Sequence, residues 1–119
     1  MPSDSDDLLA QQLRQLRREY LHDSSARVEE LRQLRARLSR EGAAALPDLR
    51  QAFHRLAGSG GSYGFPEVSS RSRDGEHLVL RFLSSGTIPE PADVALLDQA
   101  IEGVAAAFAE ATKEFESGS

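Results

Sequence analysis

Leu46-Pro47-Asp48-Leu49-Arg50-Gln51-Ala52-Phe53-His54-Arg55-Leu56-Ala57-Gly58-Ser59-Gly60-Gly61-Ser62-Tyr63-Gly64 is the stretch that decides the fold. Proline and an acid at its start suit the first turn of a helix. Leu46, Leu49, Phe53, Leu56, Gly60 and Tyr63 then recur at helical spacing and predict one core-facing stripe. At 3.6 residues per turn His54 falls about 140° from the centre of that stripe, on the flank facing outward. Gly58 and Gly61 share its flank, and Arg50 lies one turn before it. Glycine costs a helix about 1 kcal/mol relative to alanine. On the core face, Gly60 permits close helix packing. Packing does not account for glycine at two outward positions, whose effect is to strip side chains from beside an imidazole. The spacing predicts a histidine on a rigid helix, in a patch open to something large.

Working outward, the same periodicity continues on both sides. Leu8, Leu9, Leu13, Leu16 and Tyr20 mark a first helix, with Asp4, Asp6 and Asp7 at its positive N-terminal end. A second starts near Asp23-Ser24-Ser25, carries Val28, Leu31, Leu34 and Leu38, and stops at Gly42. Its arginines Arg27, Arg32, Arg35, Arg37 and Arg40 are balanced by Glu29, Glu30 and Glu41, which reads as a solvated face. After Gly64, Phe65-Pro66-Glu67 restarts the chain as a fourth helix with Val68, Ser72, Gly75, Leu78, Val79, Phe82 and Leu83. Serines and Gly75 weaken its first half. Past the turn Thr87-Ile88-Pro89-Glu90-Pro91 a long amphipathic helix carries Val94, Leu97, Ile101, Val104, Ala105, Phe108, Ala109 and Phe115. No run alternates with strand period. The fold class expected is all-α: an antiparallel four-helix bundle with an additional N-terminal helix, one domain over residues 1–119, frayed at 1–6 and 116–119.

Composition narrows the functional classes. The 119 residues carry a net charge of −5, and all of the excess lies after residue 91, where six acids face Lys113 alone. With no basic stripe, nucleic-acid binding lacks its electrostatic footprint. No apolar run is long enough to span a bilayer, and the acidic, polar start is no secretory signal, so no membrane role and a cytoplasmic location are expected. Cysteine is absent, which excludes disulfides and thiol chemistry. Three scattered histidines show no metal-ligand spacing. The glycine run lacks the Gly-Lys-Ser/Thr ending of a P-loop, and no Gly-x-Ser-x-Gly elbow surrounds Ser59 or Ser62. His22 and His77 lack any such surrounding pattern and read as ordinary surface residues.

The residues around His54 resemble the histidine-containing phosphotransfer (HPt) domains of two-component phosphorelays. Their motif is matched by His54, Leu56, Gly58, the small residues Ser59 and Gly60, Gly64, Val68 and the acid Glu76. The close match spans residues 53–76. Two positions depart from it: Ala57 stands where the family commonly has a lysine that steadies the phosphoryl group, and Gly75 replaces an aliphatic residue. The resemblance implies a phosphoryl carrier without kinase activity of its own. His54 would be the phosphorylation site, phosphorylated by the family's habit on Nε2. The partner would be the receiver domain of a response regulator, or a hybrid sensor histidine kinase. The chain itself would hold no cofactor or metal, and the Mg²⁺ that drives transfer would reside in the receiver.

A phosphohistidine carrier asks little of its own chain. One imidazole nitrogen must be free to attack, the other benefits from a partner that orients the ring, and the surroundings must be open. Positive charge nearby offsets the added phosphate. Arg50, Arg55, Gly58, Ser59 and Gly61 are the candidate phosphate-stabilising or docking residues, and Leu56, Gly64, Val68 and Glu76 the motif's structural frame. An alternative keeps the fold and drops the chemistry: an adaptor or inhibitor that binds a receiver or kinase without carrying phosphate, a reading that Ala57 keeps open.

Overall fold

The computed structural model describes residues 4–118, and every regular element among them is helical. Helix α1 spans Asp4–His22, α2 Ser24–Glu41, α3 Leu46–Ser62, α4 Pro66–Ser85 and α5 Pro91–Ser117, with a short 3-10 turn at Gly42–Ala45. The helix boundaries follow the local chemistry. Gly42, at φ 64°, ends α2, and Pro47 opens α3. Gly64, at φ 84°, takes the left-handed turn that lets Pro66 start α4. Glu90 and Asp93 form a reciprocal capping box at the start of α5.

Cross-helix pairs give the packing directions. Between α2 and α3, Glu30 pairs with Arg55 at 2.7 Å and Arg37 with Asp48 at 3.0 Å. Between α2 and α5, Arg32 meets Glu102 at 3.0 Å and Arg35 meets Asp98 at 2.8 Å. In both couples the numbering runs in opposite senses, so the neighbours are antiparallel. These pairs are largely exposed and set register more than stability. The core between the helices holds Leu31, Leu46, Leu49, Phe53, Val68, Val79, Leu97, Ile101, Val104 and Phe108, all fully buried.

The tightest pairing is α3 on α4. At Gly60 a Cβ would stand 2.9 Å from the Ser69 backbone nitrogen. A Cβ on Gly75 would run into the Cδ1, Cε1 and Cζ atoms of the Phe53 ring. The expected weakness in the first half of α4 is therefore absent. Gly75 leaves the volume that Phe53 fills, and α4 is continuous across it.

Some placements follow only from how the helices pack. The leucine stripe of α1 is not buried: Leu8, Leu9, Leu13 and Leu16 are 55, 55, 52 and 47% exposed, and only Tyr20 and Leu21 of this helix reach the core. The reason is reach, because α1 runs past the end of the bodies it would pack on. Arg17 already contacts the turn after α3, donating from Nε to the Tyr63 carbonyl at 3.0 Å, and Arg14 lies over Phe115 near the end of α5. Tyr63, expected in the core, is on the surface, stacked on Tyr20 with centroids 4.6 Å apart. Leu83 and Ala109 are exposed, while Ala52 and Ala57 join the buried face of α3. Of the ends expected to fray, residues 1–3 and 119 lie outside the described residues; Asp4 to Asp6 and Glu116 to Ser117 are helical. Among the described residues no helix is long and apolar enough to cross a membrane.

Candidate functional site

His54 stands on the outward flank of α3, its side chain 61% exposed. The antiparallel hairpin of α3 and α4 pivots near Phe65, and residues equidistant from that pivot face one another. His54 and Glu76 are such a pair, and His54 Nδ1 lies 2.8 Å from Glu76 Oε2. A carboxylate oxygen can only accept, so Nδ1 carries the proton in this contact. The lone pair is left on Nε2, which the exposed ring turns toward solvent.

Glu76 is only 10% exposed and is held from its other side by Arg50, whose Nε comes within 3.1 Å of the same oxygen. The Arg50 N–H does not point along that line, so the contact is an ion pair and not an aligned hydrogen bond. The carboxylate thus bridges an arginine and the imidazole and fixes the orientation of the ring.

The glycines do what their spacing predicts. Nothing lies within 4 Å of a Cβ built on Gly58, and one on Gly61 would meet only the Ser69 side chain in ordinary contact, Oγ at 3.5 Å and Cβ at 3.9 Å. Both positions could hold alanine in the free protein. The space beside His54 is therefore not required by the packing of this chain. Leu56 and Val68 are buried frame residues, and Gly64 makes the turn.

Two of the expected phosphate-facing groups are engaged elsewhere. Arg55 reaches across to Glu30 on α2. Ser59 Oγ shares a 2.8 Å hydrogen bond with the Tyr20 hydroxyl, which ties α1 to α3. Burial pushes the Tyr20 phenol above its ordinary pKa, a shift that the Ser59 hydrogen bond and nearby Arg27 only partly offset.

A further cation, Arg73, is absent from the sequence reading. It sits on α4 at the same distance from the Phe65 pivot as Ala57, so it faces the position where the motif's lysine is missing. Ser69 Oγ donates to the Ala57 carbonyl at 2.6 Å, and Arg73 Nη2 reaches that hydroxyl at 3.4 Å. Among the described residues Arg73 pairs with no carboxylate, whereas Arg50 and Arg55 both do. The signal that could have found it is the pivot itself: Gly64-Phe65 as the turn of an antiparallel hairpin matches His54 to Glu76 and Ala57 to Arg73. Among the described residues no three His, Cys, Asp or Glu side chains gather as metal ligands would.

Fold and site together define an all-helical domain that presents one oriented, solvent-facing imidazole. The Hpt domain family matches the chain over residues 15–107, and the chain belongs to that family. Neither a curated protein nor a solved structure matches it. Membership carries a phosphotransfer role in two-component signalling, in company with receiver and kinase proteins, for domains that are carriers and not kinases.

Proposed function

We propose that this chain is a phosphorelay carrier that takes a phosphoryl group on Nε2 of His54 and passes it on, between receiver aspartates or from a kinase to a receiver. The observation that carries the reading is the 2.8 Å contact of Nδ1 with buried Glu76 on a ring that is 61% exposed. In the transfer step the Nε2 lone pair attacks the phosphorus of an aspartyl phosphate. An N–P bond forms, the P–O bond to the aspartate breaks, and that carboxylate leaves with the bonding pair. The Nδ1 proton stays on its contact with Glu76 throughout, and the reverse step hands the group to a second aspartate. Gly58 and Gly61 admit the receiver, and Arg73 offsets the phosphoryl charge in place of the lysine absent at Ala57. Arg50 acts one step back, through Glu76. The Mg²⁺ belongs to the receiver. In this reading residues 1–119 form one cytoplasmic domain, with α2 to α5 as a four-helix bundle and α1 as an addition.

The decisive experiment mixes the purified chain with a receiver carrying labelled phosphate on its aspartate. Acid-labile, alkali-stable label on the wild type and none on His54→Gln is the expected result. A folded wild-type chain that binds the phosphorylated receiver and takes up no label overturns it and leaves the adaptor, the reading that Ala57 keeps open.

A further inference from the structure

Three facing pairs climb the α3–α4 seam, each equidistant from the Phe65 pivot: Gly61 with Ser69, Ala57 with Arg73, and His54 with Glu76. The last two belong to the site already described, while Ser69 has no part in the transfer step. A buried helix position ordinarily favours an apolar side chain, yet here stands a hydroxyl on a residue only 6% exposed. It makes two contacts. Ser69 Oγ donates to the Ala57 carbonyl at 2.6 Å and accepts from Arg73 Nη2 at 3.4 Å.

A serine hydroxyl has one proton and two lone pairs. With the proton committed to the Ala57 carbonyl, only lone pairs remain, so the α3 backbone makes Ser69 a fixed acceptor for a cation. Arg73 has a competing partner on its own helix. Glu76 follows it by three residues, a spacing at which helical side chains meet. An arginine resting on Glu76 would spend its charge there and pull on the carboxylate that orients the imidazole. Helical side chains lean toward the N-terminus of their helix, and Ser69 stands four residues before Arg73 on that side. Among the described residues Arg73 pairs with no carboxylate. We propose that Ser69 is a positioning residue: it holds Arg73 away from Glu76 and leaves that charge for the phosphoryl group on His54. The bond to the serine occupies one of the guanidinium's five N–H groups. At 3.4 Å it is long enough to bias the arginine without locking it. The consequence for transfer rests on the phosphoryl carrier reading; the hold of Ser69 on Arg73 does not.

The test is a double-mutant cycle read as the rate of label uptake from a phosphorylated receiver. Ser69→Ala should slow uptake by about threefold, because Arg73 is still present but has more rotamer freedom to lose. In the Arg73→Gln background the same change should leave the rate where it is. A general loosening of the fold would instead slow both backgrounds alike. Alanine keeps the Ser69 backbone against which Gly60 packs, so the variant retains the seam. A second readout involves no transfer: NMR relaxation of the Arg73 Nε–H should report a more mobile guanidinium in Ser69→Ala than in the wild type. A Ser69→Ala rate equal to wild type overturns the proposal, as does slowing that persists undiminished without Arg73. An Arg73 Nε–H equally ordered in both chains overturns it whether or not the protein carries phosphate. A wild type that takes no label, with Arg73 loosened as expected in Ser69→Ala, overturns the carrier reading and supports the hold of Ser69 on Arg73.

Discussion

Gly58 and Gly61 flank Gly60 on one helix, and the fold gives them opposite surroundings. On the seam between α3 and α4, Gly60 and Gly75 are there because other atoms need the room: the Ser69 backbone in one case, the Phe53 ring in the other. On the outer flank, Gly58 borders open space and Gly61 leaves a Cβ only ordinary contact with the Ser69 side chain. The seam glycines therefore answer to folding, while packing within this chain does not require the flank glycines. The same residue type, with the same helix penalty, marks two different pressures within four positions.

The comparison breaks most directly at the seam. Gly75→Ala should destabilise the fold by about 1–3 kcal/mol, the usual cost of overpacking a core, because the fully buried Phe53 ring has nowhere to go. Urea unfolding measures it; a midpoint unchanged from wild type would mean that the seam is not packed as described. Next in size is the cation that reaches from the seam toward the flank. Arg73→Gln should slow phosphoryl uptake by about tenfold, the weight of one charge-assisted contact that is partly screened. Its thermal midpoint should hardly move, since Arg73 pairs with no carboxylate among the described residues. Equal uptake by wild type and variant in stopped-flow transfer would remove Arg73 from the site.

Gly58→Ala sharpens the contrast by moving two quantities in opposite directions. Alanine in an open helix position should add about 0.5–1 kcal/mol of stability. Transfer from a receiver should fall, because the new methyl group occupies the docking space. A variant that is more stable and equally fast would make the cleared flank an accident. The smallest effect concerns the tie between α1 and α3. Burial raises the Tyr20 pKa, so the native state holds that proton more tightly than the unfolded chain does. The stability this contributes is fully present below the ordinary tyrosine value of about 10 and is lost as pH rises from there through the raised native value. Tyr20→Phe should therefore show a shallower loss of stability than wild type above about pH 10, read from urea midpoints at a series of pH values.

Much of this was legible in the chain. Period marked the helices, and proline and glycine marked most of their ends: Pro47, Pro66 and Pro91 near the starts of α3, α4 and α5, and Gly42, Gly64 and Gly86 with positive φ after α2, α3 and α4. The outward placement of His54 followed from helical geometry alone. Tyr63 was misplaced, and the exposure of the α1 leucines was not visible, for a shared reason. Periodicity says which residues share a face, but not whether another element lies opposite that face. Glu76 was visible as a motif acid; its contact with Nδ1 depends on where α4 returns along α3. Arg73 stayed hidden because no local pattern marks it, and only the hairpin register sets it across from Ala57.

By itself, then, the sequence determined that the protein is all helical, that His54 faces outward, and that Gly58 and Gly61 clear the ground beside it, since these follow from spacing within single helices. The tertiary structure alone decided which carboxylate orients the imidazole, which arginines are already paired, that Gly75 makes room for Phe53, and that the leucines of α1 have nothing to pack on. Those facts depend on the depth and register at which one helix meets another, which pairs residues far apart in the chain.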